Sequence, residues 1–598
     1  MTENIREKLA REVLDIVRRI FPRFDGEVNV ALTHPESFEH GDYTTNVALQ
    51  LSKELGKKPK DIGEQIAAEL EKHALVAKAE VAGPGFVNIF LKPEFFAGSL
   101  KTILDEKEAY GKSDWGKGKT WLIEHTSANP TKALHLGHLR NNITGMAVSN
   151  LWQAMGINVV RDYVLNDRGI AIMKLVWGYL KFGRNDKDET KATVAGWAEN
   201  KSEWLTPESV GIKPDRFVEQ YYTLGTDDFK NLETEALVRE LTLAWDADGP
   251  YVRELTSLLV GWVLDGQMAT MKRLGSSVDI FWKESEHYAE GKKYIEEGLA
   301  KSVFTKLEDG AVLSKLESYK IPDTILMKRD GTSLYITQDI ALTKLKKEKT
   351  RADKMFWVVG PEQSLALRQV FAICEQLGIG KISDFTHLPY GLVSIKGSGK
   401  MSSRTGNIVY VDDLIELTKK ELKARIPAEK FMFENEDEAL EIIALGAIKY
   451  SILRTGRTTD TTFDFDTSLS FEGDSGPYLQ YVYARIQSLL RKAESAGISG
   501  KVSPYPVGEG ETLPGSSLAR LIARYPEIIE RAGLDYAPNH LASYLLQLAQ
   551  EFNSFYGSTQ IVSADDAESP HRVAIAAATA QVIRNGLKLL GIETLEKM

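Results

Sequence analysis

The chain has 598 residues, 43% hydrophobic and 26% charged, with a formal net charge of −10. At roughly 100–200 residues per domain this describes an ordinary globular protein of about three to five domains, and no apolar run approaches the roughly 18 residues of a membrane span. The single cysteine, Cys374, excludes an intrachain disulfide framework and a multi-cysteine zinc site, and the acidic balance argues against indiscriminate nucleic-acid binding while leaving room for a local basic patch aimed at one RNA.

The opening MTENIREKLAREVLDIVRRIF is charged from the start and amphipathic, without the apolar core of a secretory signal, so a cytoplasmic location is expected. Residues 1–110 read as a small α/β unit: helical patterns at about 3–21 and 59–72, closed by the strand-like VAKAEVAGPGFVNIFL. A polar, Gly-rich linker, GKSDWGKGK, follows. TWLIEHT is a short buried-strand pattern and SANPTKA a loop. HLGHLRNNITGMAVSNLWQAMG then places Leu139, Ile143, Met146 and Leu151 at helical spacing, and INVVRDYVL is a second strand. Strand–loop–helix–strand opens a parallel, doubly wound sheet.

The stretch 170–300 reads as a mostly helical insertion, because strand signals resume at DTILMKR, MFWVVG and HLPYGLVSI, with helical patterns at about 335–348 and 364–377 between them. These are expected to complete the sheet. The expected fold is therefore α/β: a Rossmann-type parallel-sheet domain over 119–410 carrying that insertion, connecting stem helices over 411–475, and a nearly charge-balanced helical bundle over 476–598.

Two signals carry chemistry. His135-Leu136-Gly137-His138 lies where a loop runs into a helix; helix N-termini attract phosphate, Gly137 lets a flat base approach the backbone, and two imidazoles one turn apart can donate to phosphate oxygens. A pair of surface histidines is the plain alternative; a metal pair lacks a third nearby Cys or His. The second is KGSGKMSSRTGN at 396–407, a basic Gly/Ser loop suited to polyphosphate; Met401 after Lys400 rules out a Walker loop, and a flexible exposed turn is the alternative.

Together the two resemble the HIGH and KMSKS signatures of class I aminoacyl-tRNA synthetases. IEHTSANPTKALHLGHLRN, SLYITQD, FEGDSGPYLQYVYARI and LLGIETLEKM resemble the arginyl-tRNA synthetases among them, and HGDYTTNVALQLSKELGKKP with VAGPGFVNIFL resembles that family's additional N-terminal domain, so the resemblance spans nearly the whole chain. It implies a ligase that joins L-arginine to tRNA-Arg through arginyl-adenylate, using ATP with Mg²⁺. His135, His138, Lys132 and Lys400 would be catalytic. His135, Gly137, His138, Lys400, Met401, Ser402 and Ser403 would hold ATP. Glu124, Asn129, His135, Tyr335, Asp339 and Gln369 would hold arginine. No resident metal is implied.

The residues fit that reading: Tyr335 and Asp339, four apart, share a helix face, and a planar guanidinium pairs best with carboxylates. Arg404 stands where relatives often carry a second signature lysine, and Ala366 where they often carry histidine. The resemblance further implies that residues 1–110 contact the tRNA elbow and that 476–598 read the anticodon; Tyr478, Tyr481 and Tyr483 with Arg485 could stack on bases and pair with phosphate, though one helix cannot turn all three rings outward. A monomer is expected, and neither DNA nor membrane is an expected partner. Other class I synthetases, a non-catalytic RNA-binding relative and a simpler nucleotidyltransferase are the competing readings. Intact signatures, too few cysteines and the large C-terminal bundle weigh against them.

Overall fold

The computed structural model describes residues 5–22, 26–186, 191–331, 334–397, 409–426, 435–502 and 514–598. At the N-terminus, four antiparallel strands lie in the order Leu32–Thr33, Tyr43–Thr45, Phe86–Leu91, Val76–Ala82. Helices Ile5–Ile20, Val47–Leu55 and Pro59–Leu70 bury Leu9, Val13, Leu51, Ile62 and Ile66. Gly41 adopts φ 95°, and a Cβ there would come within 2.7 Å of the Ile89 carbonyl oxygen, so the turn before Asp42 requires glycine. Asp42 and Tyr43 then face the C-terminal bundle: Arg520 Nε donates to Asp42 Oδ1 at 2.6 Å, and the Tyr43 hydroxyl donates to Glu527. The N-terminal unit is thereby fastened to the helical bundle.

The central sheet consists of β1 (Thr120–Glu124), β2 (Asn158–Leu165), β3 (Ile280–Lys283), β4 (Lys354–Trp357) and β5 (Phe385–His387), ordered β5-β4-β1-β2-β3 and parallel throughout. Its central strand is covered on both faces, which is why Trp121, Leu122 and Ile123 are consecutively apolar and buried. From β1 the chain moves outward to β2 and β3, then returns to lay β4 on the other side. That reversal opens a crevice at the carboxyl ends of β1 and β4, where open α/β sheets bind ligands. Around it lie helices α1 (Leu136–Ala154), α2 (Tyr335–Thr350) and α3 (Ser364–Leu377).

Three local features differ from the expected layout. β3 lies inside the stretch read as helical, yet forms the sheet edge; four residues with one buried side chain carry too little periodicity to announce a strand. Thr324–Met327 does not join the parallel sheet. It pairs antiparallel with Val312–Ser314 in a separate three-stranded sheet with Phe304–Lys306, where the partner is close in sequence and loop closure costs little. HLPYGLVSI divides: its start ends β5, whereas Val393–Ile395 pairs in parallel with Thr461–Phe463.

That last pairing matters for the site. Arg140, fully buried on α1, donates from Nη1 to Thr461 Oγ1 at 2.6 Å, and from Nη2 to the carbonyls of Gly456, Arg457 and Thr459 at 3.2, 3.0 and 2.7 Å. The segment at 391–396 is laced to the same stretch: Gly391 N–H donates to Arg457 O, and Lys396 N–H to Phe463 O. Beyond residue 408, Leu136 N–H donates to Val409 O at 3.1 Å and Val411 N–H to Leu134 O at 3.0 Å. The chain on either side of the second signature is thus tied to the helix that carries the first. Arg140→Met should remove the shared donor from three carbonyls and cost on the order of 3 kcal/mol or more in the stability of this domain. Denaturant unfolding followed by tryptophan fluorescence checks this; a loss below about 1 kcal/mol would contradict it.

Candidate active site

The first turn of α1 is capped by its own histidines. Gly137 N–H donates to His135 Nδ1 at 3.1 Å, and His135 N–H donates to His138 Nδ1 at 3.2 Å, so the two rings form a reciprocal capping box with centroids 4.0 Å apart. Each Nδ1 is an acceptor, which leaves Nε2–H as the donor of each neutral ring. Burial, then the nearby Lys132 ammonium, pushes His135 down to about 4; burial, then His135 and Lys132, pushes His138 well below its ordinary value. The pair therefore offers two neutral donors at neutral pH. Gly137 is exposed, so its backbone lies open to a flat ligand.

The loop before this turn is held from beneath. Buried Gln267 donates to the carbonyls of Lys132 at 2.9 Å and Asn129 at 3.3 Å, and the Tyr163 hydroxyl donates to Gln267 Oε1 at 2.8 Å. Ala133 N–H donates to Glu219 Oε2 at 3.1 Å. Asn129 itself is exposed at the end of this strap.

Beside it lies an acidic pocket. Glu124 ends β1 and is 8% exposed; Asp162 on β2 pairs with it in register. Asp339 projects from the second turn of α2, solvent-accessible but walled in by protein. Glu284 enters from the short helix Glu284–His287 that follows β3. Desolvation first, then the Glu124 and Glu284 carboxylates, push the Asp339 carboxyl up to about 7 against the pull of Lys346. Burial also raises Glu284, with Asp167 adding to the rise and Arg168 opposing it. Several acids share one crevice with few cations, which is an environment built for a cationic ligand.

A sequence model described as "tRNA synthetases class I (R), catalytic domain" matches residues 99–465, one described as "Arginyl tRNA synthetase N terminal domain" matches 3–91, and one described as "DALR anticodon binding domain" matches 479–598. The chain belongs to the class I arginyl-tRNA synthetase family. Within that family, the Treponema denticola protein named "Arginine--tRNA ligase" is 34% identical over 611 residues, covering 100% of both chains. The Bacteroides thetaiotaomicron protein of the same name is 32% identical over 619 residues, covering 99% of this chain and 100% of that one. The Thermus thermophilus arginyl-tRNA synthetase structure shares the fold over 100% of both chains, with a TM-score of 0.77 at 23% identity.

The structure brings His135, Gly137, His138 and Lys132 together at one helix end. Glu124 and Asp339 form part of the neighbouring pocket, and Tyr335, 83% exposed, starts the helix that carries Asp339. Gln369 on α3 is half-buried and donates through Nε2 to the Pro322 carbonyl at 2.9 Å. Lys400, Met401, Ser402, Ser403 and Arg404 lie outside the described residues. Of the three bundle tyrosines, Tyr478 and Tyr483 are buried, the latter donating to Glu596 at 2.8 Å; Tyr481 is half-buried, with the Arg485 guanidinium 4.7 Å from its ring centroid.

Nothing in the sequence alone singled out Glu284, Asp162, Lys346 or Arg140. Two signals were nevertheless present: Asp162 is an acid placed among Val160, Tyr163, Val164 and Leu165 in a central strand, and Lys346 follows Asp339 by seven residues, two turns along the same helix face.

A cationic ligand held by Asp339 would pair with its ionised form, so affinity should be full above about pH 7 and fall below it, towards tenfold per pH unit. The guanidinium stays charged over that range, and the α-ammonium is charged below about pH 7 where the affinity falls, so the loss belongs to the protein. Calorimetric titration of arginine into the chain from pH 8.5 to 5.5 checks it; a Kd that is flat across pH 7 would contradict it.

Proposed function

We propose that the chain is an arginine–tRNA ligase that activates L-arginine with Mg²⁺-bound ATP and transfers it to the 3′-terminal adenosine of tRNA-Arg. In the first step an arginine carboxylate oxygen attacks the α-phosphorus of ATP; the new O–P bond forms as the bond to pyrophosphate breaks. In the second, a ribose hydroxyl of the tRNA attacks the acyl carbon, its proton is lost and AMP departs.

The observation that carries this reading is the acidic pocket set at the switch point, beside a helix end that presents two neutral imidazole donors. The pocket would grip the guanidinium through Asp339 with Tyr335 beside it. Glu124, Asn129, Gln369 and His135 would hold the amino-acid end. His135 and His138 would donate Nε2–H to the phosphates, and Gly137 would leave room for the adenine. Lys132 beside them, with Lys400 and the Met401–Ser402–Ser403 loop, would meet the charge that develops on departing pyrophosphate; such preorganised charge accelerates the step itself. The N-terminal unit and the bundle, fastened to each other, would hold the tRNA, with Tyr481 and Arg485 as the stacking surface.

Charging assays with each amino acid and total tRNA test the assignment: arginine alone should be esterified. Asp339→Asn should cut kcat/KM for arginine by at least about a hundredfold, because it removes the charged partner of a desolvated guanidinium, while the ATP KM moves little. An unchanged arginine kcat/KM would remove Asp339 from the site.

A further inference from the structure

Lys346 is the least expected group in this region. It is 0% exposed, yet its ammonium lies 2.6 Å from Glu124 Oε2 and 2.6 Å from Asp162 Oδ2, with the Trp357 ring centroid 5.8 Å away. Trp282 Nε1 donates to the same Asp162 oxygen at 2.9 Å. Two buried acids and one buried base are an expensive way to fill space, since apolar side chains of similar volume usually serve stability as well or better. The arrangement is also asymmetric. Lys346 engages one Glu124 oxygen, and among the described residues the other, Oε1, accepts no hydrogen bond.

The surrounding charges show what the ammonium does there. Glu124 comes from β1, Asp162 from β2, Glu284 and His287 from the helix after β3, Asp339 from α2 itself, and the Cys374 thiol from α3. Arg168 faces Glu284 from the far side. Among the described groups acting on Asp339, Lys346 is the one cation. Burial pulls Lys346 down, but Asp162 and Glu124 outweigh it and hold the ammonium protonated.

We propose that Lys346 is the positioning residue of the substrate pocket: it clamps one oxygen of Glu124, turns the other towards the amino-acid substrate, and supplies the fixed positive charge that offsets the crowding of carboxylates there before arginine arrives. The inference rests on the reading of this pocket as the arginine site. A lysine that only held β1, β2 and α2 together would set stability, and would not set the pH at which arginine binds.

The test is calorimetric binding of arginine to the full chain between pH 6 and 9. Lys346→Met should weaken arginine by about thirtyfold at pH 7.5 and move the midpoint of the pH dependence upward by about one unit, with ATP affinity within about twofold. Lys346→Arg should restore most of the affinity. Asp162→Asn, nearly isosteric and suited to the case where Lys346→Met does not fold, should move the midpoint downward, because the Lys346 ammonium is then no longer shared with the Asp162 carboxylate and acts more fully on Asp339. Midpoints that stay at the wild-type value would overturn the inference. Absence of arginine binding by the unaltered chain would overturn the pocket reading and this inference with it, whereas binding with unmoved midpoints would overturn this inference alone.

Discussion

Carboxylates crowded into one crevice repel one another, and the groups around the crevice are arranged so that they can nevertheless coexist. Glu124, Asp162, Asp339 and Glu284 arrive from four different elements of one sheet-and-helix layer. A guanidinium needs such a set, because its planar fork is satisfied best by carboxylate oxygens. Even with the Lys346 ammonium nearby the set is pushed towards protonation, as the Asp339 carboxyl near 7 shows. On the proposed reading, the internal ammonium of Lys346 would offset part of that repulsion and the arriving substrate the rest. Selectivity for a cationic ligand would then follow from the free pocket's own electrostatic strain.

The second half of the site is a matter of framing. The α1 N-terminus is closed by its own imidazoles, which fixes both tautomers without any outside partner. Arg140, on the same helix, holds the 456–461 segment, against which the strand Val393–Ile395 is laid, and the chain beyond residue 408 returns to bond directly with Leu134 and Leu136. One helix therefore sets the position of the histidine pair and of both flanks of the second signature. Catalysis by positioned charge requires that kind of rigidity, since small misplacements of a stabilising group are costly. The link between the N-terminal unit and the bundle, through Asp42, Tyr43, Arg520 and Glu527, extends the same economy to the periphery.

The layered α/β core was legible because its signals are local. Trp121–Ile123 is a continuous apolar run, the helix after His135 is read from its spacing of Leu139, Ile143 and Met146, and Tyr335 and Asp339 share a face whatever surrounds them. The features that escaped depend on partners remote in sequence. Val393–Ile395 cannot announce its pairing with Thr461–Phe463, and β3 is too short to show a period. Lys346 looks like one of several lysines on a charged helix until the fold buries it against Glu124 and Asp162. Burial of a charge is a tertiary fact. The residue type was visible, but the reason for it was not. The split among the bundle tyrosines is similar: helical spacing showed that some must be core, and only packing chose Tyr478 and Tyr483.

The central claim is that charge on the ligand, rather than its shape, satisfies this pocket. Comparing arginine with citrulline, which replaces the guanidinium by a neutral urea of nearly the same size, isolates that difference. At pH 8, where Asp339 is ionised, arginine should bind at least about a hundredfold more tightly than citrulline, roughly 2.7 kcal/mol. Equal affinities for the two would contradict the account, because a pocket indifferent to the charge would have no use for its acids.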